Sequence, residues 1–307
     1  MNTPRQTVSY LIRRFRQAGL VPNKRRGQNF LVDLNLVEWL AESAQLGQND
    51  VVLEVGTGTG SLTALLAERA AAVVTVEVDP QLHQLAAETL IDLPQVVMLQ
   101  QDALQNKNRF HPRVLEAVRQ QLDAAPGRQW KLVANLPYSI ATPVIANLLG
   151  VEPRIASMTV TIQRELAERI VAVPRTKSYS ALSVWIQSQC EVQWLRSLPP
   201  SVFWPRPRVS SAILHLVPQE AKRARIGDGE FFRRFIQAMF FHRRKLLRRE
   251  LLSAFKNQLD KPAVAQILRS QGLDDTARAE ELDLHAWLNL CDVVRDRVGC
   301  SNGGETP

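Results

Sequence analysis

The sequence predicts an α/β protein: a doubly wound, mostly parallel sheet followed by a small all-helical C-terminal domain. Three observations predict it. Short apolar strands alternate with helical segments from Val51 to Ile162, a glycine-rich turn follows the first of those strands, and strand patterning stops beyond residue 228. With 307 residues the chain is long enough for two cores, expected at 1–218 and 219–307. A hydrophobic fraction of 45% and a charged fraction of 22% are those of a folded globular chain.

Taken in order, residues 7–18 place Val8, Leu11, Ile12 and Phe15 at helical spacing, with Gly19 as the stop. A basic loop, Lys24-Arg25-Arg26, leads to Asp33, which can cap a helix buried through Leu36, Val37, Leu40 and Ala44. Strands are expected at 51–55, 73–78, 96–99, up to Asn135, and at 158–162, with helices at 61–71, 81–91, 109–124 and 141–149 between them. Right-handed crossovers then give a Rossmann-like sheet. Helices at 164–172 and 178–189, a proline-rich loop at 198–207 and a late strand at 211–216 complete the first domain. Four helix candidates at 229–241, 242–256, 261–271 and 279–298 make the second.

The apolar runs are too short to span a bilayer and the N-terminus lacks a signal-peptide core. Three cysteines form no C-x-x-C pair, so neither a disulfide framework nor zinc is expected, and a cytoplasmic location fits. The five histidines have no metal-ligand spacing. The formal charge of +8 is concentrated. Residues 1–26 hold seven basic and no acidic side chains, and residues 221–249 hold ten basic against two acidic. Such clusters are the footprint of a polyanion. Lys24 and Arg25 in the first, with Arg243, Arg244, Lys245 and Arg248 in the second, are the expected RNA-phosphate ligands.

Gly56, Gly58 and Gly60 permit close backbone approach to a ligand at the end of the first strand. The spacing is G-x-G-x-G, not the G-x-G-x-x-G of dinucleotide binders, and Glu54 precedes it. An acid there is expected to repel a pyrophosphate and to suit a cationic ligand such as S-adenosylmethionine. Glu77 near the end of the second strand can accept from both hydroxyls of a ribose, and Asp102 after the third can accept from an adenine amine. Asn135-Leu136-Pro137-Tyr138 supplies the acceptor side. Hydrogen bonds from an adenine amine to Asn135 and to a carbonyl near Leu136 draw its lone pair out of the ring, so positioning can replace a strong base. Tyr138 is expected to stack on a base taken out of its helix, with Phe203 on the opposite face.

Together, Gly27-Gln28-Asn29-Phe30-Leu31, Glu54 to Gly60, Gln101-Asp102-Ala103, Asn135 to Tyr138, Phe203 to Ala212 and Arg243-Arg244-Lys245 resemble the KsgA-type ribosomal RNA adenine dimethyltransferases. The resemblance extends from about Tyr10 to Val294. It implies that Asn29, Leu31, Gly56, Glu77, Asp102 and Asn135 contact S-adenosylmethionine. It also implies dimethylation of two adjacent adenines near the 3′ end of 16S rRNA during late small-subunit assembly; a monomer is expected, although the sequence does not give the oligomeric state. The chain departs from the family pattern at Arg26, Thr57 and Thr59 and in a longer 103–130 segment. Alternatives are the large-subunit adenine methyltransferase of macrolide resistance and a non-catalytic assembly or nucleic-acid-binding factor. The intact Glu77, Asp102 and Asn135 favour catalysis.

Overall fold

The computed structural model describes residues 8–22, 27–243 and 245–301. Two compact units make up the chain: one of residues 1–167 and 192–218, the other of 168–191 and 219–307.

In the first unit α1 (Val8–Gln17) precedes β1 (Phe30–Leu31) and α2 (Leu34–Ser43), the latter capped by Asp33 through the amides of Asn35 and Leu36. Next come β2 (Asp50–Val55), α3 (Ser61–Ala67), β3 (Ala72–Glu77), α4 (Pro80–Leu90) and β4 (Val96–Gln100). A small hairpin, β5 (Leu104–Asn106) and β6 (Arg109–Phe110), leads to α5 (Pro112–Asp123). Then follow β7 (Gln129–Asn135), α6 (Ala141–Leu148) and β8 (Ile155–Gln163); α7 (Arg164–Ile170) spans the boundary at 167, and α8 (Ala181–Gln187) belongs to the second unit. The last strands are β9 (Cys190–Leu198), β10 (Phe203–Trp204) and β11 (Ser211–Pro218).

Seven strands form the main sheet in the order β4-β3-β2-β7-β8-β11-β9. Strands β4, β3, β2, β7 and β8 are parallel neighbours, whereas β11 runs antiparallel to β8. Helices on both faces explain the strand chemistry. Val51, Val52 and Leu53 of β2 and Val73 and Val74 of β3 are fully buried, which is why these strands read as unbroken apolar runs rather than alternating ones. The order reverses at β2, whose neighbours are β3 and β7, so a crevice opens at the carboxyl ends of those three strands.

The second unit contains α9 (Glu220–Arg223), α10 (Gly229–Met239), α11 (Leu247–Ala254), α12 (Lys261–Ser270) and α13 (Leu284–Ser301). Its core is aromatic: Phe235 packs edge-on against Trp287, and Phe232 lies against Trp185 of α8. Tyr179 is buried and donates its hydroxyl to the Leu282 carbonyl at 2.8 Å. These contacts correct the expected division at 218. Residues 168–191 belong with the C-terminal helices because their large side chains are buried there.

The hairpin β5–β6, strand β9 and the two-residue pair β1–β10 were not expected from the sequence. The helix expected at 242–256 begins only at Leu247, and the one expected at 279–298 begins at Leu284 after a 3₁₀ turn at Ala279–Glu281. Among the described residues no helix is long and apolar enough to cross a membrane, and no His/Cys/Asp/Glu group is arranged to hold a metal ion.

Candidate active site

A cavity of about 260 Å³ lies at the carboxyl ends of β2, β3 and β7. It is built from the turn after β2. Gly56 and Gly58 have φ of +89° and +57°, a conformation that side chains rarely adopt. A Cβ on Gly56 would stand 3.1 Å from the Pro137 ring, and one on Gly58 3.2 Å from the Phe30 ring. The turn therefore presents bare backbone to the cavity, a cradle of the kind an extended nucleoside ligand needs.

Glu77, the last residue of β3, is buried and fixed. Its Oε2 accepts from the Gly58 amide at 3.0 Å and its Oε1 from the Asp79 amide at 3.0 Å. Burial raises its pKa above the ordinary carboxylate range, and those two amides oppose the shift. Each carboxylate oxygen keeps a lone pair for a diol. Asp102 is exposed on the cavity wall, where its Oδ1 accepts from the Leu104 amide at 2.9 Å. Apolar Phe30, Val78, Leu82 and Ile140 also line the cavity.

Asn135 closes β7. Its Nδ2 donates to the Asn29 carbonyl at 2.9 Å, and Asn29 Nδ2 in turn donates to the Gly27 carbonyl at 3.2 Å. A carbonyl can only accept, so this contact orients the Asn135 amide and leaves Oδ1 as the acceptor. The following turn is rigid: Leu136 donates to the Thr161 carbonyl, and the Pro137 carbonyl accepts from Ile140, both at 3.1 Å. Tyr138 is half-buried beside the cavity with its hydroxyl 2.5 Å from Ser211 Oγ. Burial raises its pKa, so it is a neutral phenol.

Of the residues expected from the sequence, Asn29, Gly56, Glu77, Asp102 and Asn135 line the cavity. Leu31 does not. It packs against the core cluster around Leu36 and Leu40, because its β1 neighbour Phe30 takes the cavity-facing position. Phe203 is also displaced. It is 3% exposed within that same core cluster, so it offers no free face to a base. Its chain neighbour Trp204 packs edge-on against Phe15. Gln28, Phe30, Gln101 and Ala103, quoted only as motif members with no role of their own, also line the cavity; Val78 and Ser139 adjoin the predicted Glu77 and Tyr138, whereas Leu82 and Ile140 adjoin no predicted residue.

Glu54 is a further correction. It is 1% exposed and outside the lining, buried beneath the turn, where Thr63 and Thr75 donate to its Oε2 at 2.6 and 2.7 Å. Thr57 Oγ1 lies 2.6 Å from Thr75 Oγ1, which gives one of the unusual threonines a role in this network. Burial pushes the Glu54 carboxyl up to about 8, against the opposing hydrogen bonds from Thr63 and Thr75. It is thus mostly neutral at pH 7 and acts as a support, not as a countercharge. The unfolded chain ionises this acid near 4.5 whereas the folded one holds its proton to about 8, so stability falls as pH rises between those values. Glu54→Gln removes that titration. Urea midpoints at pH 5.5, 6.5 and 7.5 should show the native chain losing up to about 1.4 kcal/mol per pH unit relative to the variant. Parallel profiles would contradict this assignment.

The basic positions separate as well. Lys24, Arg25 and Arg244 lie outside the described residues. Lys245 and Arg248 are exposed on the second unit. Arg243 is turned inward instead. Its Nε donates to Glu280 at 2.6 Å, Nη2 to the Thr176 carbonyl at 2.7 Å and Nη1 to the Lys177 carbonyl. The arginine expected to bind phosphate therefore fastens the 176–178 turn, because three acceptors converge on its planar fork.

Residues 20–295 match the family model described as ribosomal RNA adenine dimethylase. A ribosomal RNA small subunit methyltransferase A from Moorella thermoacetica is 37% identical over 290 residues, 94% of this chain and 96% of the relative. The protein of that name from Listeria innocua is 35% identical, over 96% of each chain. Among solved structures, a dimethyladenosine transferase from Plasmodium falciparum superposes with a TM-score of 0.71 at 21% identity, covering 86% of this chain and 96% of that one. The 23S rRNA methyltransferase ErmE gives 0.59 at 25% identity, covering 87% and 99%. A glycine cradle, a buried acid and an oriented amide at the switch point of a parallel sheet thus accompany a match over nearly the whole length, and the chain belongs to the ribosomal RNA adenine dimethylase family.

Proposed function

We propose that this protein transfers methyl groups from S-adenosylmethionine to the exocyclic amines of two adjacent adenines near the 3′ end of 16S rRNA, acting as a cytoplasmic monomer on a late small-subunit precursor. The observation that carries the reaction is the Asn135 amide, held by the Asn29 carbonyl so that Oδ1 is presented as an acceptor beside the cavity. The small-subunit substrate is supported by the names of the relatives that match over 94–96% of the chain.

S-adenosylmethionine, when bound, supplies an electrophilic methyl group. Glu77 accepts the ribose hydroxyls, Asp102 accepts the adenine amine, and the bare backbone at Gly56 and Gly58 lets the ligand lie close to the strand ends. Asn135 Oδ1 and the Leu136 carbonyl accept the two hydrogens of the target amine, which directs the nitrogen lone pair toward the methyl carbon. Tyr138, tethered to Ser211, holds the extruded base by contact with its ring. Glu77 and Asp102 are the only carboxylates among the described lining residues, and both serve the cofactor. No side chain need take the proton before transfer; it leaves the methylated nitrogen to water. Lys245 and Arg248 meet phosphates.

Dimethylation removes both hydrogens from the Watson–Crick edge and stops reverse transcription. Primer extension on 16S rRNA from cells lacking their own dimethylase but expressing this chain should stop at two neighbouring adenines near the 3′ end. Read-through there, with a new stop in large-subunit rRNA, would transfer the assignment to the resistance-type reaction.

A further inference from the structure

A second basin lies on the edge of the sheet opposite the glycine turn, at the amino ends of β7 and β8, with a volume of about 740 Å³. Small-molecule sites occupy about 300–1,000 Å³. One wall is the end of α5 and the loop after it, part of the segment that the sequence marks as extended. The other is the approach to β8. Between Trp130↔Ile155 and Lys131↔Ser157 the β7–β8 register shifts by one residue, which leaves Ala156 unpaired and turned to the basin.

The exposed Pro126 and Pro153 give an apolar floor, with Trp130 buried in the lining, and Arg119, Arg128 and Arg154 surround it, with Asp123 as the one carboxylate of the described lining. The guanidinium groups are held in place. Arg119 Nη2 donates to the Glu152 carbonyl at 2.8 Å, Arg128 Nη1 to the Gln121 carbonyl at 2.5 Å, and Arg154 Nε to Glu152 Oε1 at 3.2 Å. A guanidinium has five N–H donors, so Arg119 and Arg128 retain donors beyond these contacts. Trp130 is 2% exposed, yet its Nε1 has no acceptor among the described residues. A buried N–H is ordinarily paired, so this one asks for an oxygen or nitrogen acceptor within the floor.

We propose that this basin binds a nucleotide unit, its base against the exposed rings of Pro126 and Pro153 and its phosphate on Arg119 and Arg128. A flat ring suits the floor, and pre-oriented guanidinium forks suit a phosphate. The same chemistry is carried by a nucleotide of RNA and by a free nucleoside monophosphate. The site is separate from the methyl-transfer cavity and does not depend on the reaction proposed for it.

The test follows the indole N–H resonance of Trp130 in the full chain labelled with ¹⁵N-tryptophan, identified by its loss in Trp130→Phe. The cofactor cavity is first saturated with S-adenosylhomocysteine, and uridine monophosphate, a short single-stranded RNA and inorganic phosphate are then titrated separately. A shift with uridine monophosphate supports the site with a free nucleotide as a source; a shift with the RNA alone supports it with RNA as the source. In either case Arg119→Ala with Arg128→Ala should weaken binding at least tenfold. The proposal is overturned if neither nucleotide moves the resonance, if phosphate alone binds as tightly as the nucleotides, or if the arginine pair can be removed without loss of affinity. If Trp130→Phe does not fold, calorimetric affinities of the native chain and the arginine variant decide by the same criteria.

Discussion

Asn135→Ala should reduce methyl transfer by about 10²–10³-fold or more, the scale on which one oriented hydrogen-bonding group contributes to a transition state. Gly56, Glu77 and Asp102 still line the cavity in the variant, so affinity for S-adenosylhomocysteine should fall less than tenfold. Single-turnover rates and calorimetric affinities measured on the same preparation separate the two quantities. Asn135→Asp sharpens the case. Aspartate keeps an acceptor oxygen but has no N–H for the Asn29 carbonyl, and it would set two acceptors about 2.9 Å apart. It should therefore also be slow, despite matching asparagine in size. A fast aspartate variant would show that the Asn29 contact does not orient the catalytic oxygen.

Glu77→Ala should weaken cofactor binding about 10²-fold, since a charged hydrogen bond contributes about 1.5–3 kcal/mol and the pair to the diol is lost. The amides of Gly58 and Asp79 also lose their acceptor, which loosens the cradle itself. The native residue adds a pH dependence. Because burial raises the Glu77 pKa, its protonation on acidification sets in at a higher pH than for an ordinary glutamate. Affinity should be full above that pKa and decline as pH falls through it. Glu77→Gln should bind weakly with that decline abolished. Calorimetry of S-adenosylhomocysteine binding from pH 5 to pH 8 checks both statements, and an unchanged acid limb in the glutamine variant would assign the titration elsewhere.

Four of the five cavity residues legible in the sequence share one property: Gly56, Glu77, Asp102 and Asn135, unlike Asn29 ahead of β1, stand at or just beyond the carboxyl ends of parallel strands, and a doubly wound sheet gathers those positions at one edge. What sequence could not decide was the direction of single side chains. Glu54 stands inside a strand two residues before the turn, so its carboxyl enters the layer between sheet and helix, where threonines receive it. Leu31 and Phe203 sit opposite one another in the pair β1–β10, two residues long. In so short a ladder a shift by one residue exchanges cavity and core, and no periodicity is available to fix it. Phe30 and Trp204, the other register pair, take the positions away from that core.

The domain division failed for a different reason. Helix α8 reads locally as one more crossover helix, and only the burial of Trp185 against Phe232, far along the chain, assigns it to the C-terminal unit. Arg243 illustrates the same limit at the level of one residue. Within a run of basic side chains, charge alone does not distinguish an arginine that meets solvent from one whose fork is consumed by Glu280 and the 176–178 turn.

In the proposed reaction the amide of Asn135 presents an adenine amine of small-subunit rRNA to the methyl donor. The most direct test is methyl transfer from labelled S-adenosylmethionine to small subunits lacking the modification, followed by nucleoside analysis of the rRNA. The expected result is N6,N6-dimethyladenosine with the native chain and none with Asn135→Ala. Unlabelled small-subunit rRNA, or undiminished label with the alanine variant, would contradict it.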